Sequence, residues 1–284
     1  MNRDARIQVA GQETMIGQAL VRALARHGYR QPVDERPDYV FVAAGKSGGI
    51  LANQKHPADL CADNLRVALD ILPRSVGVKK LLYLASSCVY PKQAPQPMKP
   101  ESLGTGPLEP TSAAYATAKL AGLALCQAYR QQHGANFITA IPADVYGPGT
   151  KFSADDSHVI PSLMVKMHEA KPTGTVTLWG TGAPKREFTF VDDLADACLL
   201  VMEKYDGDAP INLGSGELVS IRDLAETMRN VVGYRGEIRW DTSRPDGAPI
   251  KSLDTTVLRS LGWRASVPLE TGLAATYRSL CQST

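Results

Sequence analysis

No run of apolar residues in this sequence approaches the roughly 18 that a membrane-crossing helix needs, so no helical span is expected. Nor is there a C-x-x-C pair. Cys61, Cys88, Cys126, Cys198 and Cys281 are widely spaced, which argues against a cysteine metal site or a small stapled fold and for a reducing, cytoplasmic setting. Cys61, Cys126 and Cys198 fall among apolar residues of expected helices, where they pack as small hydrophobes. Charge of one sign is missing too: 31 basic and 29 acidic residues leave a net charge of +2, so no whole-chain field points to nucleic acid or to an anionic membrane. Met-Asn-Arg-Asp-Ala leads directly into a strand, and no signal peptide is expected. Internal repeats and low-complexity tails are absent as well.

What is present is a chain of 284 residues, 44% of them hydrophobic, enough to bury a substantial core in one large or two modest domains. Arg6–Ala10 reads as a strand, Gly11-Gln-Glu-Thr-Met-Ile-Gly17 as a tight turn, and the stretch to about Gly28 as a helix. In that setting a glycine-rich turn can bring backbone N–H groups to a pyrophosphate. Thr14 stands at the middle of the turn, where its hydroxyl either narrows the approach or donates a hydrogen bond itself. A dinucleotide fold would next have a second strand, carrying a charged residue to the adenosine ribose, and another helix. Only nine residues, 29–37, precede the next strand, Asp38–Ala44, and nine cannot supply both. Asp34 and Arg36 remain as candidates near a ribose or its phosphate.

Residues 57–72 have helical periodicity, and Lys79–Ala85 is an apolar strand of the kind buried in parallel sheets. A proline-rich loop, 91–110, leads to a helix that reaches about His133, and Ala135–Ile141 is another strand. Beyond residue 149 the alternation loses regularity. A helix from Ser157 to about Ala170, a strand Thr175–Trp179, a helix Val191–Lys204, a turn Asn212–Gly216, a helix Ile221–Val232 capped by Ser220, a strand Gly236–Trp240 and a helix Leu269–Cys281 are expected. The pattern predicts an α/β fold: a Rossmann-like parallel sheet with helices on both faces, lacking the usual second strand and following helix, plus a smaller α/β lobe. Residues 1–149 and about 187–210 would form the Rossmann-like cofactor-binding domain, and about 150–186 and 211–284 the smaller lobe.

Tyr115 and Lys119 lie four apart in an Ala/Leu-rich helix, so both project from one face about 6 Å apart along the axis. An ammonium beside a phenol favours the phenolate, which predicts a lowered pKa for Tyr115 and suits proton transfer to a carbonyl as hydride arrives. Ser86 and Cys88 end a strand two residues apart, and in an extended segment they would face the same side. Taken alone, Cys88 reads as a buried thiol and His158 as an ordinary helix-start histidine more often than as base and acid.

These pieces resemble the extended short-chain dehydrogenase/reductase superfamily and, within it, the GDP-L-fucose synthases. The resemblance rests on Gly48-Gly-Ile-x-Ala-Asn53, Ser86-Ser-Cys-Val-Tyr-Pro-Lys92, Leu108-Glu-Pro-Thr111, Tyr115-Ala-Thr-Ala-Lys-Leu-Ala-Gly122, Tyr146-Gly-Pro148, Ser157-His-Val-Ile-Pro161, Trp179-Gly-x-Gly-x-Pro-x-Arg-Glu-Phe188, Val191-Asp-Asp193, Pro245-Asp-Gly247 and Leu253-Asp254. It implies conversion of GDP-4-keto-6-deoxy-D-mannose to GDP-L-fucose with NADPH, with inversion at C3 and C5 before reduction at C4. Ser86 and Tyr115 would bind the C4 oxygen, Tyr115 would donate its proton, and Lys119 would hold the nicotinamide ribose. Cys88 and His158 would be the base and acid of epimerisation. The resemblance assigns the cofactor to Gly11, Thr14, Met15, Ile16, Gly17, Ala44, Lys119, Pro142, Val145 and His158, and the GDP-sugar to Ser87, Lys166, Trp179, Arg186 and Lys251. Trp179 would flank guanine or fill the small lobe's core. It also implies a homodimer through helices near 57–72 and 112–130.

Several departures bear on the cofactor. Thr14 replaces the family's middle glycine, Glu13 stands where the family has arginine, and the second strand is deleted. Lys166 replaces an arginine, and Asp144 an asparagine. Alternatives follow: NAD(H) in place of NADP(H), weak or no dinucleotide binding, a GDP-sugar epimerase or isomerase without net reduction, or a non-catalytic GDP-sugar-binding partner subunit.

Overall fold

A computed structural model describes residues 1–244 and 246–283, so Pro245 of the Pro245-Asp-Gly247 segment lies outside the described residues. The chain begins with β1 (Ile7–Ala10), α1 (Met15–Arg26), β2 (Tyr39–Val42), α2 (Ile50–Lys55), α3 (Pro57–Arg74), β3 (Lys80–Leu84) and α4 (Ala113–His133). It continues through β4 (Phe137–Pro142), β5 (Asp144–Tyr146), α5 (Val159–Glu169), β6 (Val176–Trp179), β7 (Lys185–Phe190) and α6 (Val191–Lys204). It closes with β8 (Ile211–Leu213), β9 (Leu218–Ser220), α7 (Ile221–Val232), β10 (Ile238–Asp241), β11 (Ile250–Lys251), α8 (Thr256–Ser260) and α9 (Leu269–Ser283).

The main sheet runs β1-β2-β3-β4-β8, and every pairing in it is parallel. All five residues of β3 are buried, as expected of a strand covered on both faces. On one face α1 and α6 pack together, joining Leu20 and Leu24 to Leu194 and Cys198 over Ile7, Phe41 and Leu82. On the other, α3 and α4 bury Leu72, Leu123 and Cys126 against Val40, Leu81 and Tyr83. A notch opens α4 to the sheet: a Cβ on Gly122 would collide with the Tyr83 ring and hydroxyl. This is the fold the sequence predicts.

A third core, with Ile160, Met164, Leu224, Met228 and Leu273 at its centre, builds the smaller lobe from α5, α7 and α9. In this lobe β6 pairs with β10, while β7 is flanked by β5 and β11 in parallel and by β9 antiparallel. Several short strands were not foreseen, β8 and β11 among them. Ile211–Leu213 is a strand of the main sheet where the sequence suggests a turn beginning at Asn212. Its amide side chain takes the Tyr90 hydroxyl at 2.6 Å and donates to the Met98 and Asp254 carbonyls, so distant partners hold the segment extended. Lys251 likewise lies in β11, two residues long, that only β7 recruits into a sheet.

Residues 27–38 contain neither helix nor strand, and β1 is the edge of the main sheet. The missing second strand read from the sequence is therefore a real truncation of the fold. No helix among the described residues is long and apolar enough to cross a membrane.

Candidate active site

The turn after β1 is closed by its own residues. Gly11 has φ +90°, and a Cβ there would sit 2.6 Å from the Ala44 backbone, so no other residue fits. Thr14 does not point its hydroxyl at a ligand. It caps α1: its Oγ1 accepts from Gly17 N–H at 3.0 Å and donates to the carbonyls of Gly11, at 2.8 Å, and Ala43, at 3.2 Å. The N–H groups of Met15 and Ile16, in the first turn of a 12-residue helix, have no acceptor among the described residues. A helix start with free donors and a positive dipole end fits a diphosphate.

Lys119, on α4, is buried, and its Nζ donates to the Leu84 carbonyl at 3.2 Å. Burial lowers its pKa to about 8. Gly45 covers this corner. A Cβ on it would strike Asn64 Oδ1, a buried oxygen without a hydrogen-bond partner, and would come within 3.5 Å of the lysine. A ribose hydroxyl is a donor of the kind that orphaned oxygen lacks. The residues present therefore fit the nicotinamide half of a dinucleotide.

Ser86 and Cys88 do not lie in an extended segment. Ser87–Val89 is a turn of 3₁₀-helix whose cap is Ser86, its Oγ accepting from Cys88 N–H at 3.4 Å. The expectation that strand alternation aligns the two side chains is thus replaced by a tighter geometry. Ser86 hydrogen-bonds Tyr115, and Cys88 is near enough for its charge to act on the phenol. The expected lowering of the Tyr115 pKa is reversed: burial pushes it up, Cys88 adds to that, and the Ser86 hydrogen bond offsets only part. The phenol keeps its proton at neutral pH, which is the state a donor requires.

From Cys88 the cluster continues into the small lobe. Lys251 feels the charge of Cys88, and its Nζ is 3.2 Å from Asp144 Oδ1. Burial disfavours the Lys251 ammonium, but Asp144 and Cys88 outweigh that and raise its pKa. Burial likewise pushes the Asp144 carboxyl up, and Lys251, His158 and Arg186 together hold it below the usual range. His158 caps the start of α5. Burial lowers its pKa, Asp144 pulls the other way, and Lys251 reinforces the lowering.

Glu187 anchors this wall, accepting from Gly216 N–H and Leu253 N–H, each at 2.7 Å. Sequence reasoning passed over Glu187, although it directly follows Arg186 in a recognisable motif. Asp144 figured only as a departure. Its ion pair with a residue more than a hundred positions away had no sequence signal.

The remaining candidates are more dispersed. Ser87 lines a narrow crevice, too tight to admit a water molecule, with Asp144, Glu187 and Lys251. Pro142 ends β4, and Val145 is in β5. Arg186 donates to the Lys185 and Ala248 carbonyls at 2.8 and 2.7 Å. Lys166 is half-buried on α5. Trp179 is 61% exposed with the Arg244 guanidinium 5.2 Å from its ring, so it does not fill the small lobe's core. A larger groove, about 330 Å³, lies against α6 beside His27, Asp196 and Trp263 and holds none of the candidate residues. Among the described residues no group of His, Cys, Asp and Glu is arranged to hold a metal ion.

Known proteins resemble this chain over most of its length. Residues 30–214 match the NAD dependent epimerase/dehydratase family. GDP-L-fucose synthase 1 of Arabidopsis thaliana is 45% identical, covering 97% of this chain and 93% of its own length. That alignment runs over 300 positions, more than the 284 residues here, so the relative carries residues this chain lacks. Among solved structures, a GDP-6-OMe-4-keto-L-xylo-heptose reductase from C. jejuni superposes with a TM-score of 0.90 at 29% identity, covering 100% of this chain and 99% of that one. A GDP-L-fucose synthetase from Naegleria fowleri bound to NADP superposes with a TM-score of 0.89 at 25% identity, over 100% and 96%.

Proposed function

The chain belongs to the NAD dependent epimerase/dehydratase family, among the GDP-L-fucose synthases, and from that premise we propose that it epimerises C3 and C5 of a GDP-linked 4-keto-6-deoxy-hexose and then reduces C4 with NADPH. The observation that supports this reading is the cluster of Tyr115, Ser86, Cys88, Lys251, Asp144 and His158, in which the Lys251 ammonium lies 3.2 Å from Asp144 Oδ1 and the titratable groups are close enough to act on one another.

Hydrogens beside a ketone are acidic because the enolate left behind is delocalised onto oxygen. Ser86 and Tyr115 donate to the C4 oxygen and stabilise that charge. Cys88 takes the proton from C3 or C5, and His158 returns one to the carbon. With the epimers set, Tyr115 gives its proton to the C4 oxygen. A bound reduced nicotinamide supplies the hydride to C4. Gly11, Met15, Ile16 and Gly17 would hold its diphosphate, Lys119 and Ala44 the nicotinamide ribose, and Pro142, Val145 and His158 the ring. Arg186 and Lys166 supply positive charge for the GDP diphosphate, and exposed Trp179 offers a face to guanine. The nucleotide-sugar lobe would comprise the small-lobe core described above. Two copies would pair through α3 and α4, whose outer surface includes Leu69, 60% exposed. A cytoplasmic enzyme fits the free cysteines.

One structural fact favours a second reading, epimerisation without net reduction: the truncated sheet edge. Product analysis by NMR in deuterated solvent, with NADPH, NADH or no cofactor, decides between them. Deuterium at C3 and C5 together with a C4 alcohol that needs reduced nicotinamide is the expected result. Deuterium uptake with no reduction under any condition selects the epimerase, and neither reaction would reject both.

A further inference from the structure

In a dinucleotide fold, the strand beyond the first carries the charged residue that holds the adenosine ribose. Here, among the described residues, only 27–38 run beside the free edge of β1, and that strap is short. Val33 N–H donates to the Ile7 carbonyl at 2.8 Å, Gln8 Nε2 reaches the Asp34 carbonyl at 3.5 Å, and Arg6 reaches the Glu35 carbonyl. Asp38 N–H then returns to the Arg6 carbonyl at 2.7 Å and the chain enters β2. Every one of these contacts is with Arg6, which precedes β1, or with Ile7 or Gln8, the half of β1 far from the Gly11 turn. Beside Val9, Ala10 and Gly11, where the cofactor's diphosphate would turn toward adenosine, the strap makes no hydrogen bond among the described residues.

The charges at this open end do not replace the lost strand. The turn's one charged side chain is Glu13, which is exposed. On the strap Asp34 and Glu35 are exposed too, and Arg30 is paired with Asp4. Arg36, exposed and with φ 47°, is the strap's other cation, and an isolated solvated charge contributes little. The nicotinamide half has a different character, with buried Lys119, the Gly45 corner and the free donors of α1.

We propose that this chain grips its dinucleotide by the nicotinamide half and the diphosphate and leaves the adenosine half largely outside the protein, so that the adenosine 2′-phosphate adds little to affinity. The inference rests on the proposal above that a nicotinamide cofactor binds here, and concerns only how it is held.

Nicotinamide fluorescence titrations of the full chain with NADPH and NADH, and competition by 2′,5′-ADP, test it without turnover. Dissociation constants for NADPH and NADH within about threefold, and no displacement by 2′,5′-ADP below the millimolar range, are expected. Arg36→Ala should leave the NADPH to NADH ratio unchanged. NADPH binding about thirtyfold or more tighter than NADH, or 2′,5′-ADP competing at micromolar concentration, overturns the proposal. So does NADPH affinity that rises with protein concentration, because a second copy would then complete the edge. Failure of both dinucleotides to bind removes the reductase reading itself and this inference with it, and is recognised by solvent exchange at C3 and C5 persisting without reduction.

Discussion

At the sugar end of the cleft, side chains from β5, β11, α4, α5 and the turn after β3 are close enough for their charges to act on one another, and the buried Glu187 carboxylate holds the wall behind them. At the adenosine end a strap with no regular structure meets half of one edge strand. The difference shows which part of a cofactor-dependent site tolerates loss of protein. Proton transfer depends on the positions of donor and acceptor to within a hydrogen bond. Gripping the far end of a cofactor adds affinity that concentration can replace.

The largest effect should come from the sugar end. Cys88→Ser is expected to slow deuterium uptake at C3 and C5 about 10²- to 10³-fold while GDP-sugar binding survives, because an alcohol is a far poorer base than a thiol. Unchanged uptake, followed by NMR, would show that the network is not the reaction centre. Tyr115→Phe removes the donor and should cut C4 reduction about 10²-fold with the fold retained. A wild-type reduction rate in that variant, measured by NADPH consumption, rules out the donor role.

Lys119→Met sharpens the contrast from the side of stability. The buried ammonium has a folded pKa of about 8, below its ordinary value, so between about 8 and 10.5 the unfolded chain holds more protons than the folded one and stability rises with pH. The charge penalty is therefore greatest at and below neutral pH. The variant should be more stable than wild type by about 1–3 kcal/mol at pH 7, with the gap closing toward pH 10, as read by denaturant titration. A gap independent of pH would mean the lysine is not penalised by burial.

Asp144→Asn tests whether the carboxylate supports the imidazolium form of His158. Its loss should move the alkaline limb of the epimerisation pH profile, where His158 gives up its proton, to lower pH, and a limb that stays in place would separate the two residues. The smallest effect belongs to the other end. Thr14→Ala removes the cap of α1 and should cost about 1 kcal/mol in thermal unfolding, with Thr14→Gly costing only a few tenths.

The sequence made much of this molecule legible. Burial period and helix signals located β1, α1, β3, α4 and α6, because those patterns are complete within a dozen neighbouring residues. The nine residues 29–37, between the expected helix and the next expected strand, were too few for a strand and helix, and chain length alone settled that. The reactive residues were visible through motifs that keep fixed spacing. The 3₁₀ turn at Ser86 was not, since an apolar strand followed by small polar residues does not reveal how the backbone bends.

What tertiary structure decided was the electrical state of those residues and the strands that only distant partners can form. Lys251 meets Asp144 across 107 positions of sequence, and no local pattern carries that distance. Tyr115 and Lys119 stand four apart on one helix, yet burial under the sheet, not their spacing, sets the direction of both pKa values. Identity and periodicity are properties of neighbours along the chain. Desolvation and Coulomb energy depend on everything packed around a group, and that is fixed only when the chain has folded.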